Sequence, residues 1–193
     1  MSETLLCGID EAGRGPLAGP VCAAAVILPE NFPAHLLADS KKLNSTTREE
    51  LKAVILGAAT AWGLGWVSAS KIDQINIHNA SLLAMERAFA AMLDQINQGN
   101  NRANIRAIAD GKFSPRLPVE CQPLVKADTQ IPEVMAASIL AKTSRDRLMD
   151  YYGIFFPQYG YERHKGYPTK AHREAIARWG TSPIQRLTYR YTR

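Results

Sequence analysis

The sequence predicts an α/β fold: a central mixed sheet flanked by helices, with a helical C-terminal segment over about residues 151–193. Three observations carry this. Short apolar runs bounded by Gly, Pro or Asp recur through the first two thirds of the chain. Between them lie stretches whose apolar residues repeat at three and four, the period of a buried helix face. Beyond Ile131 helical patterns dominate. Strands interleaved with helices, followed by helices alone, are the pattern of a sheet domain with a helical end.

Leu5 to Asp10 is an apolar run closed by acid and reads as a strand. Glu11 to Pro20 holds three glycines and two prolines and reads as a loop. Val21 to Leu28 is a second strand. Ser45, Thr46 and Thr47 stand ahead of Glu49 and Glu50, a capping pattern for a helix running to about Gly57. Trp62 to Ser68 alternates large residues with glycine and suits a third strand. The clearest helix runs from about Asn79 to Asn97, where Leu82, Met85, Phe89, Met92 and Ile96 make one apolar stripe, which we read as core. Asn76, ahead of it, is either a cap or a backbone contact. Ile105 to Ala109 is a strand ending at Asp110-Gly111, and Glu120 to Lys126 is a further one leading to Asp128. A long helix spans about Ile131 to Tyr151, with Pro132 in its first turn. Gly153 to Pro168 reads as an ordered loop or short helix, and Tyr151, Tyr152, Phe155 and Phe156 are expected to pack the C-terminal segment on the sheet. Thr169 to Trp179 is helical, with Thr169 as N-cap.

Of the 193 residues, 46% are apolar, which supplies a full core and excludes intrinsic disorder. A net charge of +5 suits a polyanionic partner. Cys7, Cys22 and Cys121 are widely spaced with no CxxC pair, so neither a disulfide framework nor a zinc site is expected. Reduced thiols point to a reducing compartment. The Met-Ser-Glu-Thr start has no basic region or cleavable apolar stretch, and the longest apolar run, Val21 to Leu28, is too short to span a bilayer. The expectation is a soluble cytoplasmic protein without a membrane partner.

Three acidic positions share one local setting. Asp10-Glu11 closes a strand, Asp110 closes another, and Asp128 follows an apolar run and precedes a helix. Carboxylates on neighbouring strand ends, about 5 Å apart, can converge. Two such charges at 4 Å repel by roughly 4 kcal/mol at an effective dielectric of 20, so a cluster calls for cations or protons. Oxygen-only ligands select hard divalent ions such as Mg²⁺ or Mn²⁺. Asp before Gly is also a common turn signal, and ordinary turn acids are the competing reading for Asp110. Strand pleating points Asp10 and Glu11 to opposite faces, so both serve one site only if the chain bends there.

The loop Gly13-Arg14-Gly15-Pro16-Leu17-Ala18-Gly19 has GxGxxxG spacing and is followed by a strand, so it is no dinucleotide fingerprint. Beside a metal site its glycines would let peptide groups approach a sugar hydroxyl or a phosphate. A tight turn between two strands is the plainer alternative.

The string Gly8-Ile9-Asp10-Glu11-Ala12-Gly13-Arg14-Gly15-Pro16-Leu17-Ala18-Gly19-Pro20-Val21 resembles the N-terminal signature of ribonuclease HII. Four further segments agree in order and spacing: Asp39 to Leu43, Ile75 to Ala80, Ala136 to Lys142 (extended by Ser144 to Met149) and His164 to Thr169. The resemblance covers about residues 5–185 and implies a ribonuclease H-like fold over residues 1–193 as one catalytic domain. It implies an endonuclease that cuts on the 5′ side of ribonucleotides in RNA–DNA hybrids or embedded in duplex DNA, leaving 3′-hydroxyl and 5′-phosphate, as in ribonucleotide excision repair. Its four carboxylates fall on Asp10, Glu11, Asp110 and Asp128, holding two Mg²⁺ or Mn²⁺ ions. Gly13, Arg14 and Gly15 fall at the ribose 2′-hydroxyl, Tyr167 at the next, deoxy, sugar, and Ser40, Lys41 and Lys42 at phosphate. Where the family often carries Arg-Arg-Ser-Phe, this chain has Arg186-Leu187-Thr188-Tyr189, and Ala127 stands where glycine is commoner before the last acid. Asp146 is expected to be an ion-pair partner on a helix, and His164 or Lys165 a phosphate contact. A monomer without a protein partner is expected, since no clamp-binding tail is evident.

Overall fold

The computed structural model describes residues 4–37, 45–98 and 104–190. Its sheet has strand order β3-β2-β1-β4-β5, formed by β1 (Thr4–Ala12), β2 (Val21–Ile27), β3 (Ala61–Val67), β4 (Asn104–Asp110) and β5 (Cys121–Leu124). β1, β2 and β3 pair antiparallel, while β4 lies parallel to both β1 and β5. The helices are α1 (Ser45–Ala58), α2 (Ala69–Gln98), α3 (Pro132–Phe155), α4 (Tyr161–His164) and α5 (Lys170–Trp179).

Pleating sorts the core into two layers. Cys7, Ile9, Val21, Ala23, Ala25, Ile105, Ala107 and Ala109 face α2, which presents Met85, Phe89 and Met92. Ala24 and Val26 face the other way, onto Leu51 and Ile55 of α1 and the Met135–Ala141 stretch of α3. β2 is therefore buried along its whole length, which explains its unbroken apolar run. The alternation in β3 has a similar cause. Its glycines lie under α2: a Cβ on Gly63 would sit 2.3 Å from the Ala88 carbonyl oxygen, and one on Gly65 2.0 Å from that of Ala84. Gly65→Ala is expected to cost about 3 kcal/mol, because both obstacles are backbone. Urea unfolding checks this, and a loss under about 1 kcal/mol would mean that α2 shifts freely.

The expected elements appear, with differences at their ends. β1 continues through Ala12, so the glycine loop starts two residues later than expected. α2 begins at Ala69 rather than Asn79, across a break at Asn76 (φ 64°, ψ 166°). The Asn76 side chain accepts a hydrogen bond from the Asn79 N–H at 3.0 Å, so the motif residue is a cap for the second stretch of helix. The α2 stripe is core, as expected. α3 extends four residues past Tyr151. Tyr152 and Phe156 pack on the C-terminal cluster of Ala18, Met149, Tyr159 and Tyr161. Tyr151 and Phe155 do not pack there; successive residues on a helix diverge, and these two are 49% and 73% exposed. Thr169 caps α5 by accepting from His172 N–H. Cys7, Cys22 and Cys121 are unbridged thiols. No helix among the described residues is long and apolar enough to cross a membrane.

Candidate active site

β1 and β4 are parallel neighbours in register, with Ile9 opposite Ala109, so the next residues along, Asp10 and Asp110, lie side by side at the strand ends. Ile9 and Ala109 face α2, and pleating turns both aspartates towards α3. Beyond β5 the backbone passes through left-handed Lys126 (φ 61°) into a short turn, Ala127–Thr129, which carries Asp128. The Ala127 N–H donates to Asp110 Oδ1 at 2.8 Å and fixes that turn to the end of β4. Ala127 itself is not left-handed, so alanine is accommodated in place of glycine. The outcome is one cluster: carboxylate oxygens of Asp10, Asp110 and Asp128 all lie within 4.8 Å of one another.

Glu11 stands at the rim of this cluster. β1 stays paired through Ala12 and the chain turns only at Gly13 (φ 100°), yet Glu11 lines one cavity with Ser138 and Lys142 of α3, the helix that Asp10 faces. Glu11 Oε1 pairs with Arg14 at 3.0 Å, while its Oε2 is buried without a hydrogen-bond partner. Asp10 is 5% exposed. Burial first, then the charge of Glu11, push its carboxyl well above the usual range, against a hydrogen bond from Ser138 on α3. Burial also raises Glu11, against the pull of Arg14. A buried Asp10 beside partly buried Asp110 and Asp128, all oxygen donors, with an orphaned carboxylate oxygen of Glu11 next to them, fits a hard divalent cation.

Next to the acids a cavity of about 310 Å³ is lined by Glu11, Gly13, Arg14, Gly15, Ser138, Lys142 and Tyr167. Tyr167 is exposed beside Gly15, and the Lys142 ammonium lies 5.9 Å from its ring centre. Asp146 pairs with Lys142 at 2.7 Å, the helix ion pair expected of it. The loop carrying Tyr167 is tied to the glycine loop by Leu17 N–H donating to Gly166 O at 2.8 Å. Ser40, Lys41 and Lys42 lie outside the described residues.

His164 and Lys165 serve the fold rather than reach outwards. Lys165 pairs with Asp150. His164 Nδ1 accepts from Gly166 N–H, which leaves its Nε2 to donate to the Tyr159 carbonyl at 2.8 Å. His172 stacks on it at 4.6 Å and holds the Tyr167 carbonyl through Nδ1. Burial lowers the pKa of both rings below the ordinary 6.5. Groups lowered in the folded state contribute stability that is present above about pH 6.5 and lost as pH falls through their folded values. The urea midpoint is therefore expected to drop between about pH 7.5 and 5.5, and His172→Phe to reduce that drop; equal drops in both proteins would exclude the pair as its source.

Sequence reasoning missed two buried arginines. Arg145 and Arg186 are 1% and 0% exposed. Arg145 donates to the carbonyls of Ala18, Pro20 and Lys165, and Arg186 to those of Gly13, Arg14 and Gly19. Burial, then Arg186, lowers Arg145 to about 10. Nothing in an arginine taken alone distinguishes a buried one from a surface one; the glycine-rich loop whose carbonyls accept from the pair is the only trace. Leu187 is 66% exposed, but its N–H donates to Asp73 at 2.9 Å, so the backbone there keeps a structural use whatever the side chain.

Solved structures with this architecture define the class. The ribonuclease H2 from Pyrococcus horikoshii superposes with a TM-score of 0.74 at 23% identity, covering 97% of this chain and 94% of that one. A chain in the PCNA:RNase HII complex from Archaeoglobus fulgidus gives 0.75 at 25% identity, over 98% and 96%. The fold is thus that of ribonuclease H, carrying an acidic cluster at its strand ends. The family model for ribonuclease HII matches residues 7–192. The ribonuclease HII of Treponema denticola is 52% identical over 193 residues, 96% of this chain and 98% of that protein. The chain belongs to the ribonuclease HII family. It is an endonuclease of the ribonuclease H kind, acting on RNA–DNA hybrids with a divalent metal ion.

Proposed function

We propose that this enzyme cuts the phosphodiester on the 5′ side of a ribonucleotide, whether the ribonucleotide lies in an RNA–DNA hybrid or alone in duplex DNA, leaving 3′-hydroxyl and 5′-phosphate. The observation that carries this reading is the juxtaposition of the carboxylate cluster with the glycine-loop cavity: a cutting site beside a site shaped for a sugar. Asp10, Asp110 and Asp128, with Glu11 completing the shell, would hold two Mg²⁺ or Mn²⁺ ions. Bound there, such ions supply an activated nucleophile and offset the charge that develops at phosphorus. Ser138 orients the Asp10 carboxylate, and Arg14 holds Glu11 at the rim. Peptide groups of Gly13, Arg14 and Gly15 read the 2′-hydroxyl, the one group that separates RNA from DNA. Tyr167 packs against the following sugar and tests for the lack of that hydroxyl, with Ser40, Lys41, Lys42 and Lys142 as cations and donors for the flanking phosphates. Selection then comes from sugar chemistry and backbone shape rather than base edges.

The same reading makes residues 1–193 one catalytic unit working as a cytoplasmic monomer in ribonucleotide excision repair. Since the Archaeoglobus fulgidus neighbour was solved in complex with PCNA, size-exclusion chromatography with the host's sliding clamp is the check on a protein partner, and co-elution would replace the expectation of none.

The deciding experiment uses a labelled duplex with a single ribonucleotide, beside the same duplex in all-DNA form and a long hybrid, with Mg²⁺, Mn²⁺ or EDTA. Metal-dependent nicking 5′ of the ribonucleotide, with the all-DNA duplex intact, is the expected result. Cutting of the long hybrid alone would remove the single-ribonucleotide activity. Binding without any cutting would favour a silent nucleic-acid binder on the same fold.

A further inference from the structure

We propose that Arg186 is a positioning residue for ribose recognition: it aims the peptide N–H groups of the glycine loop into the substrate cavity. The inference rests on the sugar-reading role proposed above for Gly13–Gly15. Arg186 has no exposed surface, and among the described residues no carboxylate pairs with its guanidinium. A buried cation is costly unless fully hydrogen-bonded. Here the bonds run to loop carbonyls: Nη2 to Gly13 O at 2.6 Å, Nη1 to Arg14 O at 3.0 Å, and Nε to Gly19 O at 2.9 Å. Nη1 also meets Tyr189 Oη at 3.2 Å, and that hydroxyl donates to Arg14 O at 2.9 Å.

The direction of these bonds is what matters. In a trans peptide the carbonyl of one residue and the N–H of the next point opposite ways. Holding the carbonyls of Gly13 and Arg14 against Arg186 therefore turns the N–H groups of Arg14 and Gly15 away from it. Residues 13–15 line the cavity beside the acids, and neither N–H is taken up by another backbone group among the described residues. Arg186 is itself held from a distance. Asp73, in the first turns of α2, accepts from Leu187 N–H (2.9 Å), Thr188 N–H (3.0 Å) and Thr188 Oγ1 (2.6 Å). The path thus runs from Asp73 through residues 187–188 to Arg186 and Tyr189, and from them to the loop, without touching the carboxylates.

The test is affinity for a duplex with one ribonucleotide against the same all-DNA duplex, measured by fluorescence anisotropy with Ca²⁺ in place of the catalytic ion. Arg186→Gln is expected to lose about tenfold or more of the wild-type preference, since charge-assisted bonds to three carbonyls are removed, while affinity for all-DNA duplex stays within about threefold. Arg186→Lys keeps the charge but cannot span three carbonyls, and should restore little of the preference. Tyr189→Phe and Asp73→Asn should lose preference in the same direction, by less. A purely structural role would shift the melting temperature, or weaken both duplexes together, and leave the ratio alone. An unchanged ratio in folded Arg186→Gln overturns the proposal; if that variant does not fold, an unchanged ratio in both Tyr189→Phe and Asp73→Asn does so. A wild-type protein with no preference at all would instead bring down the ribonucleotide reading, and the positioning role of Arg186 with it.

Discussion

Asp10→Asn is expected to abolish cutting, by at least about a thousandfold in kcat, and at the same time to make the metal-free protein more stable. The first effect follows from position: Asp10 is the most buried of three acids whose carboxylate oxygens all lie within 4.8 Å of one another. The second follows from its electrostatics. Burial and the neighbouring Glu11 raise its carboxyl well above the ordinary range. A carboxyl raised in the folded state holds its proton more tightly there than in the unfolded chain. Its contribution is then complete at low pH and is lost as pH rises through the folded value. At neutral pH, without metal, the charged site works against folding, and an isosteric amide removes that repulsion, for a gain of about 1–3 kcal/mol. Added Mn²⁺ should reverse the order, stabilising wild type by mass action and Asp10→Asn much less. Thermal melts with and without Mn²⁺, beside nicking assays, read all of this. A metal-free Asp10→Asn protein that melts below wild type would show that the carboxylate is not in conflict with its surroundings.

Gly13→Ala is expected to lower kcat/KM about a hundredfold. Two obstacles coincide at this residue. Its φ of 100° lies where an L side chain is strained, and an added Cβ would stand 2.1 Å from Arg145 Nε. Arg145 cannot simply yield, because its three donors hold the carbonyls of Ala18, Pro20 and Lys165. The loop must therefore move, and a displacement of about 1 Å next to the chemistry is enough for such a loss. Gly180→Ala is the control. It shares a positive φ, 78° (with ψ −167°), but has open space around the Cβ, so only backbone strain of about 1–3 kcal/mol should appear, with activity unchanged. Activity of Gly13→Ala within threefold of wild type would mean that the loop geometry is not held as tightly as the arginines imply.

The sequence by itself determined the alternation of strands and helices, the acids at the strand ends and the glycine loop between the first two strands. Periodicity and turn chemistry are local, and each is written within a few residues: the stripe from Leu82 to Ile96, the cap at Thr169, the Gly63 and Gly65 alternation. The long signature from Gly8 to Val21 added the family, because no local rule would assemble that string by accident. What only the tertiary structure decided were matters of register and reach. That Asp10 and Asp110 share a face depends on β1 and β4 being parallel neighbours, a pairing across about a hundred residues. That Glu11 borders the same cavity as Ser138 and Lys142 depends on α3 lying against the end of β1. Arg145 and Arg186 have no use legible in the sequence until the fold brings them, from far along the chain, under a loop rich in carbonyl groups. Long-range pairing and the burial of charge depend on how the whole chain closes on itself, and no window of sequence contains that information.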